Sequence, residues 1–235
     1  MIKDNYLDIN KKIKQICLEN NIEKNHVTLI AVSKTKPVSD IQQVYDAGCR
    51  DFGENKAQEL VANYDVLPKD IRWHFIGTLQ KNKVKYVVGR AALIHSVDSY
   101  ELALEIQKRA EKMDCHCDIL IEVNVAKEES KQGIKNFDDV IDTIRKISTL
   151  KNIHIKGLMT IAPICEKASD NSLYFKQLKD LSVDIKNKID DNVKVDCLSM
   201  GMSGDFADAI AAGSTMIRVG TAIFGARNYT SHSSN

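Results

Sequence analysis

Residues 29 to 37 read LIAVSKTKP, and the fold turns on this stretch. Leu29, Ile30, Ala31 and Val32 make a short apolar run rich in branched side chains, the pattern of a strand covered on both faces in a parallel sheet. The run delivers Ser33 and Lys34 to its carboxyl end. Pro37 cannot continue a central strand, and Ser39 with Gln42 three residues on has the spacing of a capping box, so Lys34 is expected at a strand-to-helix junction. A lysine held there over hydrocarbon is partly desolvated, which disfavours its ammonium form and frees a neutral amine to attack a carbonyl carbon. Lysine and arginine together number 33, nearly all of them expected as solvated surface charges, so it is position that singles out Lys34.

Outward from this strand the sequence alternates. Ile9, Ile13, Ile16 and Cys17 lie on one stripe of an amphipathic helix over about 4–20, an extra N-terminal element before the first strand. After Lys34, a helix over 39–48 stops at Gly48, a short strand covers 51–53, and a helix begins near Asn55. Strands follow at 72–76 and 92–97, with Asp98 expected to cap a helix carrying Leu102, Ile106, Ala110 and Met113. A strand at 118–125 leads through the polar connection AKEESKQG (126–133) to a helix over 137–149. Strands at 153–161, 195–199 and 215–219 complete the series, with a long helix over 169–189 between the first two of these. Eight short apolar strands alternating with helices predict a single-domain α/β fold, a (β/α)8 TIM barrel spanning 1–229, with 230–235 as a disordered polar tail.

Composition narrows the partners. A chain of 235 residues with 43% hydrophobic residues supplies one sizeable core, and a formal net charge of +1 with 28% charged residues offers no basic field for nucleic acid. No apolar run approaches the roughly 18 residues that would span a bilayer, so no membrane partner is expected. The six cysteines (Cys17, Cys49, Cys115, Cys117, Cys165 and Cys197) are scattered in a chain too long to need disulfide staples, which fits a reducing cytoplasm. Cys115-His116-Cys117 invites a metal assignment. However, it lacks a second ligand pair, and strand alternation would throw its histidine to the opposite face, so no metal is expected.

In a barrel of this kind, chemistry lies at the carboxyl ends of the strands, and phosphate groups are commonly held by the loops after strands seven and eight. The first of these loops reads Ser199-Met200-Gly201-Met202-Ser203-Gly204-Asp205, entering a helix whose first amides can face an oxyanion. The second contains Gly220, which lets backbone approach closely, and Thr221, which adds an amide and a hydroxyl. Together with Lys34, they point to a ligand that carries both an aldehyde and a phosphate. Pyridoxal 5'-phosphate (PLP) has both, held as a reversible Schiff base on Lys34. Its ring nitrogen needs a charged partner, for which Arg218 at the end of strand eight is placed. Guanidinium offers only donors, so a ring nitrogen accepting from it stays unprotonated and is a poor electron sink.

Six blocks carry a family resemblance: AVSKTKP (31–37), FGEN (52–55), HFIGTLQKNK (74–83), GLMTI (157–161), SMGMSGDFADAI (199–210) and GSTMIRVGTAIFGAR (213–227). In this order and over the whole chain, they resemble the YggS/PROSC family of pyridoxal phosphate homeostasis proteins. The resemblance implies a barrel like the N-terminal domain of alanine racemase, Lys34 as the imine lysine and Arg218 near the pyridine nitrogen. It further implies that Ser199, Gly220 and Thr221 hold the phosphate, with Gly201 and Met202 in the same loop, and that Asn55, His74 and Met159 line the pocket. The activity it implies is PLP and amino-acid homeostasis in a cytoplasmic monomer, with enzymes lacking their cofactor as recipients and no strong turnover. Racemisation would need a second base from a further domain, which this length is not expected to contain. The alternatives are a racemase-like PLP enzyme, a cofactor-free Schiff-base aldolase, and a scaffold that presents LQKNK (79–83) as a basic contact.

Overall fold

The structure, a computed structural model, describes residues 1–23, 25–163, 168–189 and 193–226; the expected tail at 230–235 lies outside them. The branched, apolar runs form eight parallel strands: β1 (Thr28–Val32), β2 (Asp51–Glu54), β3 (Arg72–Phe75), β4 (Ala91–Val97), β5 (Cys117–Glu122), β6 (Ile153–Met159), β7 (Cys197–Ser199) and β8 (Met216–Val219). Each pairs with its successor, and β8 returns to β1 in a register running from Thr28 opposite Met216 to Ala31 opposite Val219, closing the barrel. A closed parallel sheet has no open edge, and helices cover its outer face.

Strand alternation then assigns the side chains. In β1, Leu29 and Ala31 join the apolar layer between sheet and helices, whereas Thr28 and Val32 line cavities at the two mouths. In β8, Ile217 and Val219 face outward, while Met216 and Arg218 face in. The interior holds a small apolar cluster of Leu93, Leu120 and Met159. Beside it, inside the same barrel, lie the buried polar side chains of His74, His95, Ser199 and Arg218. Gly157 is required where β6 meets β7, because a Cβ there would stand 1.8 Å from the carbonyl oxygen of Cys197.

The helices are α1 (Ile2–Glu19), α2 (Val38–Asp46), α3 (Ala57–Val66), α4 (Val84–Val87), α5 (Tyr100–Lys112), α6 (Phe137–Ile147), α7 (Ser172–Lys188), α8 (Phe206–Ala211) and α9 (Thr221–Phe224). α1 buries Tyr6, Ile9, Ile13 and Cys17, and Asn5 donates to the carbonyl of Ile223 at 3.0 Å, tying the N-terminal helix to α9. Two helix starts differ from the sequence expectation. α2 opens at Val38 with Pro37 as its N-cap residue and no side-chain cap, because the proline ring already presets the entry and leaves Ser39 inside the first turn. α5 is preceded by Ser99 at the N-cap; Asp98 accepts from the Ser99 hydroxyl at 3.1 Å instead of capping the helix. The residues LQKNK run into a 3-10 turn and the one-turn α4, which links β3 to β4.

Candidate cofactor site

At the carboxyl ends of the strands a cavity of about 260 Å3 is walled by Val32, Ile76 and Ile161 and edged by Lys34, Asn55 and Arg218; Met202, Ser203, Gly204, Gly220 and Thr221 complete its rim. Lys34 reaches it from a turn fastened on two sides. The Ser33 amide donates to the Gly53 carbonyl at 3.0 Å, and its hydroxyl donates to Oε1 of Glu54 at 2.5 Å. One residue beyond Lys34, the Thr35 amide donates to Oε2 of Glu59 at 3.1 Å, and Thr35 itself sits at φ 64°, the left-handed region. Lys36, two residues on, donates to the carbonyls of Phe224, Gly225 and Ala226 at 3.0, 3.3 and 3.2 Å, which commits it to the end of α9.

Across the cavity, the loop after β7 is drawn tight. Gly201 takes φ 94°, the Met202 amide donates to Oδ1 of Asp205 at 2.6 Å, and the Ser203 hydroxyl accepts from the Ala222 amide at 3.3 Å, joining this loop to the start of α9. Gly220 packs so close to Val32 that a Cβ would lie 3.3 Å from its side chain and carbonyl. The result is a cradle of small residues and first-turn amides suited to an anion.

Arg218 is 5% exposed and donates to the Ser199 hydroxyl and, at 2.8 Å, to the carbonyl of Thr160. Burial lowers its pKa to about 10, with the charges of Glu122 and Asp205 working the other way, so the guanidinium stays protonated at neutral pH. Glu122 is itself pushed up to about 7, chiefly by burial and then by Asp98, with Arg218 opposing.

Of the ten residues expected at the site, Lys34, Asn55, Met202, Arg218, Gly220 and Thr221 meet at this cavity. The other four lie elsewhere. Gly201 shapes the loop: a side chain there would come within 2.5 Å of the Ala209 Cβ. Met159 is sealed in the interior cluster with Leu93 and Leu120. The Ser199 side chain, fully buried, points into the barrel at Arg218 and His95, and Ser203 stands on the cavity rim where a phosphate-facing hydroxyl was expected of Ser199. His74 faces a separate cavity of about 370 Å3 at the opposite mouth, with Asp51, Arg72 and Lys156. Strand period alone could place His74 inside the barrel but not at which end. Glu54 and His95 were missed: His95 faces into the barrel from β4, whereas Glu54 shares the outer face of β2 with Phe52 and meets Asn63 of α3.

The fold and site define a class: a (β/α)8 barrel with a lysine at the end of β1 and an anion cradle after β7 and β8. The sequence pattern of the alanine racemase N-terminal domain family matches residues 13–228, so the chain belongs to that family. Within it, the chain is 42% identical over 220 residues to the pyridoxal phosphate homeostasis protein of Aquifex aeolicus, covering 93% of this chain and 95% of that one. The PLP-bound structure of PipY from Synechococcus elongatus superposes with a TM-score of 0.84 at 32% identity, covering 96% of this chain and all of that one. An alanine racemase from Clostridium difficile, 14% identical with a TM-score of 0.75, shares the fold, and this chain covers 58% of it.

Proposed function

We propose that this protein holds pyridoxal phosphate reversibly on Lys34 and keeps it available to cytoplasmic enzymes that need it, without strong turnover of its own. The observation that carries this reading is that a lysine amine, a donor-only guanidinium and a glycine-serine cradle share one cavity of about 260 Å3. The residues fit the group. Asn55 brings a buried Oδ1 with no partner among the described residues, and Gly220 leaves room for close backbone approach.

Bound there, PLP would supply an aldehyde that an amine can take up reversibly and a ring whose electron demand depends on protonation of its nitrogen. Lys34 is the amine on the cavity edge. Ser203, Gly204, Gly220 and Thr221 would hold the phosphate through amides and hydroxyls. Arg218, charged at neutral pH, can only donate, so a ring nitrogen facing it stays unprotonated and withdraws electrons weakly. That favours storage and release over carbanion chemistry. The similarity to a pyridoxal phosphate homeostasis protein and to PLP-bound PipY supports the same reading.

Purified protein should take up PLP with a visible absorbance band, and borohydride should fix the cofactor to Lys34, located by peptide mass. Lys34→Ala should lose the band and the label together. An unchanged band in that variant refutes the assignment. Sustained turnover of D- or L-amino acids refutes the non-catalytic part.

A further inference from the structure

Four hydrogen bonds run from Arg218 through the barrel to its far mouth. Arg218 meets the Ser199 hydroxyl; that oxygen lies 2.9 Å from Nδ1 of His95; Nε2 of His95 lies 2.9 Å from Nδ1 of His74; and Nε2 of His74 lies 3.0 Å from Oδ1 of Asp51. The residues come from β8, β7, β4, β3 and β2, and each is at least nine-tenths buried. Arg72 closes the far end, donating through Nε to Oδ1 of Asp51 at 2.8 Å.

The proton positions follow from chemistry. Guanidinium has no acceptor, so the Ser199 oxygen accepts from Arg218, and with both histidines neutral its one proton goes to its other neighbour, Nδ1 of His95. His95 therefore carries its own proton on Nε2 and gives it to Nδ1 of His74. His74 in turn carries a proton on Nε2 and gives it to the Asp51 carboxylate. With both imidazoles neutral, every other arrangement sets two donors or two acceptors face to face. The flanking groups agree. Burial above all, with the Arg218 charge adding to it, holds His95 well below the usual imidazole range and keeps it neutral. Burial alone would raise Asp51, but the hydrogen bonds from His74 and Arg72 more than offset it and hold the carboxyl below its usual value.

We propose that Ser199, His95 and His74 form a one-way hydrogen-bond chain that fixes the orientation of Arg218 beneath the cofactor cavity by anchoring it to Asp51 at the opposite mouth. These three are then positioning residues for the ring nitrogen and not cofactor ligands, a role that rests on the PLP reading above. The chain explains why the barrel interior keeps two histidines beside its small apolar cluster.

The test has a part that needs no cofactor. In 15N NMR spectra of the PLP-free protein, His95 and His74 should both appear as neutral imidazoles protonated on Nε2; a proton on Nδ1 of His95, or a doubly protonated His95, overturns the proposal. In the PLP-loaded protein, Ser199→Ala should shift the absorbance band and speed release of PLP to a scavenging apoenzyme by about tenfold, the scale of one buried charged donor left unpaired, while borohydride still labels Lys34. Ser199→Thr, which keeps the hydroxyl, should restore the His95 tautomer and the band. A wild-type band and release rate in Ser199→Ala refute the positioning role. Failure of the wild-type protein to take up PLP on Lys34 would instead refute the cofactor reading, and the tautomers would still decide whether the chain exists.

Discussion

Glu54 ends β2 directly beneath the Lys34 turn and is fully buried. Its Oε1 accepts from the Ser33 hydroxyl at 2.5 Å and from Nδ2 of Asn63 at 3.1 Å, while its Oε2 is buried beside the Glu59 carboxylate with no donor reaching it among the described residues. Two carboxylates side by side need a proton between them. Burial is the largest influence on Glu54 and the Glu59 charge adds to it, against the donors Ser33 and Asn63, so its pKa rises from 4.5 to about 8. Because the folded state holds this proton more tightly than the unfolded chain does, the contribution to stability is full below pH 4.5, falls as pH rises, and levels off above about 8. At 1.36 kcal/mol per pH unit the whole interval is worth about 4–5 kcal/mol.

Glu54→Gln keeps the oxygen that serves Ser33 and Asn63, places an N–H donor toward Glu59, and cannot ionise. Relative to wild type it should be equally stable near pH 4.5, more stable by about 3 kcal/mol at pH 7, and more stable by about 4–5 kcal/mol above pH 8. Urea unfolding at pH 5, 6, 7 and 8.5, with a constant m-value, reads this difference directly. If the variant shows the wild-type pH slope, or is destabilised at every pH, then Glu54 is ionised in the fold and the proton assignment is wrong.

The barrel itself yields two further tests. Gly157→Ala puts a methyl 1.8 Å from the Cys197 carbonyl oxygen, which cannot be relieved without parting β6 from β7; thermal unfolding should show a loss of more than about 3 kcal/mol, and a wild-type melting curve would contradict the register. Asn136→Ala removes the side chain that accepts from the Asp138 amide at the start of α6, so chemical denaturation should show a loss of about 1 kcal/mol. PLP uptake should be unchanged in that variant, since α6 contributes nothing to the cavity rim.

The sequence by itself determined the eightfold alternation, the lysine at the end of the first strand and the small-residue loops after the seventh and eighth. Hydrophobic periodicity and the backbone demands of glycine and proline are local, and they survive without a partner in view. Helix starts were less legible: the Ser39–Gln42 spacing looked like a cap, but Pro37 fixed the entry two residues earlier in its own way. In the folded barrel His74, Met159, Ser199 and Arg218 share the inward face, and their depth along the axis comes from the stagger between strands, which no single strand encodes. Tertiary structure therefore decided that Arg218 meets the cavity, that His74 turns to the other mouth, and that Ser199 faces inward while Ser203 takes the rim. It alone also decided that Glu54 shares a proton and that His95 is neutral, because a pKa is set by the groups packed around a side chain, and those arrive from strands far apart in the chain.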